Sequence, residues 1–371
     1  MTEDDRAWVE VDLDKIRRNV QRIQRFVGSN REIMAVVKAD AYGHGFLASA
    51  AAAASAGATW LGVATVTEAE QLLQHGLTGP ICLLCPFAPA QAKRICSAPI
   101  VPTIGDISQL ELLAEHPRPR LMPIHLEIDT GMGRSGSLPH HVVALYRRAM
   151  ELGFDPQGIS THFSDPIGAS DPNLNREQQQ NFDIAWLALQ QAGAKFRWVH
   201  LNASGAIVSL KHSYGNLVRP GLLTFGIQPD AHKLVPEIEA AMSVFARVAT
   251  VRSLPSGHPI SYGGTHRLTR DSSVATVLIG YGDGYPRRLS NKGEVVIRGS
   301  RCPILGAVCM DQIVVDVTGA PSVSPGDTAT CVGTDGSQEI TFNEISRLIG
   351  TTVHEVPTTL TSRLPRVYIN H

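Results

Sequence analysis

Lys38 closes an apolar run, residues 33–37, and is followed by glycines at 43 and 45. The run suits a strand buried on both faces, and the glycines end it in a turn before an alanine-rich helix that begins near Phe46. An amine at the carboxyl end of a buried strand, if partly desolvated, has a lowered pKa and forms a Schiff base with an aldehyde. The plain alternative is a lysine whose stem covers apolar surface while its head stays in water. The rest of the chain decides between the two.

Other polar groups fall at comparable points. Glu127 and Asp129 close a second apolar run and lead through T-G-M-G to Arg134. His162 ends a third run, His200, Asn202 and Ser204 cluster at a fourth, and Arg219, followed by Pro220 and Gly221, ends a fifth. Singly, each has a dull reading as a satisfied core histidine, a cap or a rim ion pair; together they ask for a scaffold that gathers strand ends.

The periodicity supplies one. Asp12 caps an amphipathic helix carrying Leu13, Ile16, Val20, Ile23 and Val27 on one face. Strands are expected at 32–37, 59–64, 80–84, 99–103, 121–128, 158–162, 198–202 and 216–219, with helices at 46–56, 67–75, 89–97, 106–115, 139–152 and 175–192 and a short one after Ser204. About eight strand–helix units in this length define an α/β fold of the (β/α)8 TIM-like barrel type, occupying residues 1–230. No G-x-G-x-x-G follows the first strand, which disfavours a dinucleotide-binding sheet. Residues 231–371 change texture. Short β-rich runs at 244–251, 273–279, 294–298, 303–308, 313–317 and 328–332, divided by Pro and Gly turns, predict a mostly-β C-terminal domain, on which the first ten residues are also free to pack.

A barrel places its chemistry at the carboxyl ends of its strands and its phosphate site after the last two. Ser204 and the backbone amides of Gly221 and Leu222 could hold a dianion there. A reactive lysine facing a phosphate cradle points to a phosphorylated aldehyde, and pyridoxal 5'-phosphate fits, with Arg219 a candidate partner for its ring nitrogen.

The formal net charge of −1 offers no electrostatic footprint for nucleic acid or an anionic membrane. Apolar stretches fall far short of the ~20 residues of a membrane span, and the acidic start, MTEDDRAWVE, lacks a secretory core, so a cytoplasmic location is expected. Cys82 and Cys85 make a lone C-x-x-C inside a strand; with no second pair, the six cysteines read as buried thiols and no metal is expected.

The motifs themselves carry a resemblance. AVVKADAYGHG at 35–45, DTGMGR at 129–134, THF at 161–163, RPG at 219–221, SYGGTHR at 261–267, GYGDGYPR at 280–287 and CMDQ at 309–312 resemble, in order and over nearly the whole chain, the alanine racemase family. The resemblance implies pyridoxal phosphate on Lys38 as a Schiff base, with Lys38 acting on the proton of the D-amino acid. It implies that Tyr262, from the neighbouring subunit of a head-to-tail homodimer, acts on the L-isomer. His162, with Arg219 behind it, would tune Tyr262. Tyr42, Ser204, Gly221, Leu222 and His354 would contact the phosphate, Arg134 and the amide of Met310 the substrate carboxylate, and Asp311 and Tyr281 the entrance. The implied role is interconversion of L- and D-alanine, a small-molecule substrate, for peptidoglycan. A non-catalytic pyridoxal-phosphate carrier lacks the β domain, and a decarboxylase of basic amino acids does not suit YGHG and CMDQ.

Three departures stand out. His354 replaces a family tyrosine before E-V-P, which favours serine or broader side-chain selectivity as the alternative. Asn202–Ala203–Ser204 displaces one amide contact at the seventh strand. Glu127 occupies the position of a lysine that the family often carbamylates to present a carboxylate to the active-site arginine. A residue already carrying a carboxylate needs no carbon dioxide, so turnover is expected to be the same in carbonate-free and bicarbonate-supplemented buffer; a several-fold difference would show that Glu127 does not fill that role.

Overall fold

The computed structural model describes residues 5–77, 79–167, 170–171, 173–210, 215–228, 235–320 and 322–370. Strand β1 (Ala7–Asp12) leads directly into helix α1 (Leu13–Val27), where the Asp12 carboxylate accepts the Lys15 N–H at 3.0 Å and satisfies an otherwise unpaired first-turn donor.

Eight parallel strands then follow: β2 (Glu32–Val36), β3 (Trp60–Val63), β4 (Ile81–Leu83), β5 (Ile100–Ile104), β6 (Met122–Glu127), β7 (Phe154–Ser160), β8 (Trp198–His200) and β9 (Leu217–Val218). Each from β2 to β7 pairs with the next, β9 pairs back onto β2 through Glu32↔Leu217 and Ile33↔Val218, and the Arg219 N–H reaches the Asn202 carbonyl at 2.7 Å, which closes the ring between β8 and β9. The expected barrel is present. Its outer helix after the last strand is replaced by α1, which packs between the Phe46–Ser55 helix and the Leu222–Phe225 3-10 turn.

Inside the ring, Met34, Trp60, Cys82, Val101, Trp198 and Leu217, one from each of six strands, form a separate apolar cluster. Towards the carboxyl ends the interior turns polar, with Thr103, His125, Glu127, Thr161, His200 and Arg219 all buried. A barrel interior is filled with side chains, so this switch from apolar to polar marks the working end. Gly158 is part of it: a Cβ there would overlap the His125 ring.

The second unit is a nine-stranded sheet built around the long strand β10 (Met242–Leu254). Both ends of the chain join it: β1 runs antiparallel to β10, with Trp8↔Phe245, and parallel to the terminal strand Arg366–Ile369, with Val9↔Arg366. The expected strand at 303–308 is corrected. The hairpin partner of Glu294–Ile297 is Ser300–Pro303, joined through Arg298 and Gly299 at φ 50° and 73°, the two positive values of a tight hairpin turn. Beyond Pro303 the run keeps only an isolated bridge, Ile304↔Val315, and the Leu305 N–H to the Val314 carbonyl at 2.8 Å, before the chain turns at Gly306, whose φ is 75°.

One buried polar side chain ties α1 to the segment that follows β9. The Asn19 amide donates to the carbonyls of Thr224 (3.3 Å) and Glu239 (2.8 Å) and accepts the Glu239 N–H (3.0 Å). Asn19→Leu removes all three, and unmet backbone groups at this depth cost on the order of 1–3 kcal/mol. The urea midpoint is expected to fall accordingly; an unchanged midpoint would refute this role.

Candidate active site

The mouth of the barrel opens into a cavity of about 840 Å³. Lys38, Tyr42, Glu127, Arg134, His162, Ser204, Arg219, Gly221, Leu222 and His354 all line it. Tyr262, Met310 and Asp311 do not. They line a separate surface concavity with Ser261 and Cys309, and Tyr281 joins them through its N–H to the Cys309 carbonyl at 3.0 Å. Tyr262 is 75% exposed and Met310 51% exposed. The sequence-derived site is thus two clusters on one chain.

Lys38 owes its place to an unusual backbone. The strand stops at Val36, and Ala39, Asp40, Ala41 and Tyr42 then follow one another at φ 55°, 55°, 53° and 53°. The left-handed region costs an L-residue roughly 1–2 kcal/mol, and it is ordinarily visited one residue at a time. Here it makes a complete turn, so Lys38 and Tyr42, four apart, both line the cavity. Gly43 ends the turn, and a Cβ there would overlap the Pro357 carbonyl oxygen from the β domain.

Opposite, the Ser204 hydroxyl accepts the N–H groups of Gly221 (2.9 Å) and Leu223 (3.3 Å). The amides that converge on Ser204 are therefore those of Gly221 and Leu223. Tyr42 completes the cradle: a Cβ on Gly221 would overlap its hydroxyl, and burial holds that phenol well above its usual range.

Arg219, which lines the same cavity, is buried. It donates to His200 Nδ1 at 2.7 Å, to the His200 carbonyl, to the Thr161 carbonyl at 2.8 Å, and at 3.4 Å to both His162 Nδ1 and the Leu201 carbonyl. Its Nε makes no hydrogen bond among the described residues and remains available to a ligand. Burial lowers its pKa to about 10, which leaves it cationic at neutral pH. A cationic donor fixes its acceptors' tautomers. His200 and His162 take the arginine proton on Nδ1 and carry their own on Nε2; His200 Nε2 then donates to His125 Nδ1 at 2.9 Å.

Glu127 is 9% exposed, and burial raises its pKa against the opposing effects of a Ser135 hydrogen bond and the charges of Arg219 and Arg134. No hydrogen bond joins Glu127 to Arg134 among the described residues; the Arg134 side chain is exposed at the mouth, and its charge acts on Glu127 through space. Asp129 acts on the backbone instead. Its Oδ1 accepts the N–H groups of Gly131, Met132 and Gly133, each at 3.0 Å, and shapes the loop that presents Arg134. His354 stands 6.2 Å from the Tyr42 ring and bonds Thr352 Oγ1 at 3.0 Å; burial, then Lys38, lowers its pKa.

Residues outside the expected set also matter. Gln178 bonds the His162 carbonyl (2.9 Å), Thr130 Oγ1 (3.3 Å) and the Ser164 N–H (2.9 Å), tying two active-site loops together. On an amphipathic helix it leaves no sequence signal beyond a glutamine on the buried face. His125 could have been found: it is two residues before Glu127 on one strand, and so shares its inward face. The cysteines are all free; Cys82, Cys96, Cys302 and Cys331 are buried, whereas Cys85 and Cys309 are half-buried. No helix among the described residues is long and apolar enough to cross a membrane.

An amine, a hydroxyl–amide cradle and a guanidinium with one spare donor, all at the mouth of a parallel barrel, fit a phosphorylated aldehyde. The fold and site define a barrel enzyme of the cofactor-dependent, amino-acid-transforming class. The family profiles described as "Alanine racemase, N-terminal domain" and "Alanine racemase, C-terminal domain" match residues 11–229 and 241–368. An alanine racemase of Desulforamulus reducens is 37% identical over 370 residues, 98% of each chain. The crystal structure of alanine racemase from Bacillus anthracis with bound L-Ala-P superposes with a TM-score of 0.91 at 32% identity, covering 98% of this chain and 95% of that one. An alanine racemase structure from Bartonella henselae with covalently bound pyridoxal phosphate gives 0.86 at 28% identity over 98% and 99%. The chain belongs to the alanine racemase family.

The buried histidines make stability depend on pH. Burial, aided by nearby arginine charge, lowers His44 to about 4 and His125 and His162 to about 3, whereas in the unfolded chain they titrate near 6.5. Between those values the unfolded chain binds protons that the folded chain refuses, so stability falls as pH falls below about 6.5. Calorimetry at constant ionic strength is expected to show Tm dropping steadily from pH 6.5 to pH 5; a flat Tm across that interval would contradict it.

Proposed function

We infer that this protein interconverts L- and D-alanine with pyridoxal 5'-phosphate, Lys38 and Tyr262 serving as bases on opposite faces of the substrate. The observation that carries the reading is the convergence of Lys38, the Ser204–Gly221 cradle and the spare Arg219 donor on one cavity, in a chain of this family. Bound there, pyridoxal phosphate supplies the electron sink that makes an amino acid's α-proton removable.

The protein's own groups then divide the work. Ser204, Tyr42 and the amides at Gly221 and Leu222 would hold the phosphate, with His354 beside them. Arg219 would supply a cationic donor to the ring nitrogen. Arg134 and the Met310 amide bind the substrate carboxylate, Glu127 steadies the Arg134 loop, and Asp311 and Tyr281 flank the entrance. The Lys38 amine takes or returns the proton on the face of the D-isomer. The base assigned to the opposite face, Tyr262, does not line its own chain's cavity and stands exposed on the β domain. A second copy, docked head to tail, brings its tyrosine over this barrel and receives the same in return. A phenol needs neighbours that favour its phenolate to act as a base. His162, accepting from Arg219 on Nδ1, presents Nε2–H as the donor that favours the phenolate. We place the boundary between the two domains near residue 230, and assign a cytoplasmic enzyme that provides D-alanine for the cell wall.

His354 supports a second reading, activity on serine or larger side chains, because imidazole replaces a longer phenol at the cavity wall. Deuterium wash-in at Cα, followed for single enantiomers of a panel of amino acids, tests both. Lys38→Ala is expected to abolish exchange from either isomer of alanine. Tyr262→Phe is expected to keep exchange from D-alanine and to lose that from L-alanine by about 10²–10⁴, the usual worth of a general base. Equal loss from both isomers would refute the two-base assignment, and faster exchange into serine than alanine would favour the second reading.

A further inference from the structure

The left-handed turn behind Lys38 is costly for its own residues, because Ala39, Asp40, Ala41 and Tyr42 all have a Cβ that disfavours it, and its backbone bonds, such as the Gly43 N–H to the Ala39 carbonyl at 3.1 Å, only partly offset that. Something outside the turn must hold it, and two side chains that no step above uses do so.

The first is Glu68. Its Oε1 accepts the Ala39 N–H at 2.8 Å, and its Oε2 accepts the N–H groups of Ala64 (2.9 Å) and Thr65 (3.0 Å). One carboxylate therefore staples the peptide immediately after Lys38 to the loop after the neighbouring strand. The Thr65 hydroxyl accepts the Glu68 N–H at 3.1 Å, so the glutamate is itself fixed as part of a helix cap.

The second is His44, completely buried. Its Nδ1 lies 3.0 Å from the carbonyls of both Ala41 and Tyr42. Two carbonyls demand a donor, so Nδ1 carries the proton, and the neutral ring stacks on Phe225 at 4.5 Å. Nε2 has no partner in the described structure, so the ring's polar function here is this one bifurcated bond. Asp40 completes the frame by accepting the Phe46 N–H at 2.8 Å, which starts the next helix where Gly45 has no side chain to offer.

We propose that Glu68 and His44 are positioning residues, a two-point clamp that holds the turn left-handed so that the Lys38 amine and the Tyr42 hydroxyl enter the cavity together. Glu68 acts at the lysine end and His44 at the tyrosine end. The clamp secures the covalently held cofactor at its aldehyde and phosphate ends at once. The proposal rests on the assignment of Lys38 as the cofactor-binding lysine.

The test is cofactor retention by the holoenzyme, read as the half-life of the lysine-bound cofactor absorbance during challenge with hydroxylamine. Three variants are compared with wild type, and circular dichroism confirms their fold. Glu68→Gln is isosteric but turns an NH2 group towards one set of N–H donors. His44→Phe keeps the ring and its stacking on Phe225 but removes the donor. His44→Asn restores an N–H near the Nδ1 position. Glu68→Gln and His44→Phe are expected to shorten the half-life about tenfold, the factor set by losing one buried hydrogen bond, and His44→Asn to recover most of it.

Wild-type retention in Glu68→Gln and His44→Phe overturns the clamp. So does an equal loss in His44→Phe and His44→Asn, which would assign the effect to packing rather than to the hydrogen bond. Should His44→Phe fail to fold, Glu68→Gln at its half-buried position decides alone. Lys38→Ala separates this from the underlying reading: if it keeps the bound-cofactor absorbance, the lysine assignment is wrong, whereas its loss alongside unaffected clamp variants removes the clamp only.

Discussion

A guanidinium buried at the top of the barrel constrains everything around it. Arg219 cannot be left uncompensated in that setting, because an unpaired buried charge costs several kcal/mol. Its donors are met by carbonyls and ring nitrogens from β8 and from the loops after β7 and β8, so the same bonds that satisfy the charge also gather those strand ends. The tautomers of His162 and His200 follow from its donors, and that of His125 from His200 in turn. Replacing this network by apolar side chains would be less costly for stability and would remove a buried cationic donor from the cavity wall.

The rest of the site is arranged about that centre by backbone more than by side-chain choice. On one side, a complete left-handed turn carries the lysine and the tyrosine. On the other, a glycine with no room for a Cβ lets Tyr42 approach the cradle. The β domain reaches into the same region from its own chain: Pro357 abuts Gly43, and the Arg366 Nε donates to the Gly43 carbonyl at 3.2 Å. The sheet that sends these contacts also contains both ends of the chain. Its exposed cluster of Tyr262, Met310 and Asp311 lies apart from its own barrel's cavity. Asp311 is steadied there by Arg363 at 2.6 Å, which also reaches the buried Asp283 at 3.3 Å.

Much of this could be read from residue order. Eight apolar runs ending in polar residues specify a ring of strands with chemistry at one end, since inward-facing side chains leave polar groups room only at the mouth. The lysine, the arginine pair, the strand-end histidine and the serine were found that way, and the motifs carried the rest. Three features were hidden. The left-handed turn is spelled KADAY, in which nothing but the flanking glycines departs from an ordinary helix start, because its conformation is imposed by Glu68 and His44 from outside. Gln178 works through loops far from it in sequence. The run after Pro303 has strand composition yet forms only an isolated bridge, Ile304↔Val315, before the chain turns at Gly306.

The order of residues therefore determined the barrel, the kind of cofactor and the identity of the groups that meet it, because periodicity and motif spacing are local properties of the chain. The tertiary structure decided which of those groups share a cavity and which lie apart from it on the β domain, which nitrogen of the buried site histidines carries a proton, and how the backbone turns after the lysine. Those depend on distances and on burial between segments remote in sequence, and a linear pattern records neither.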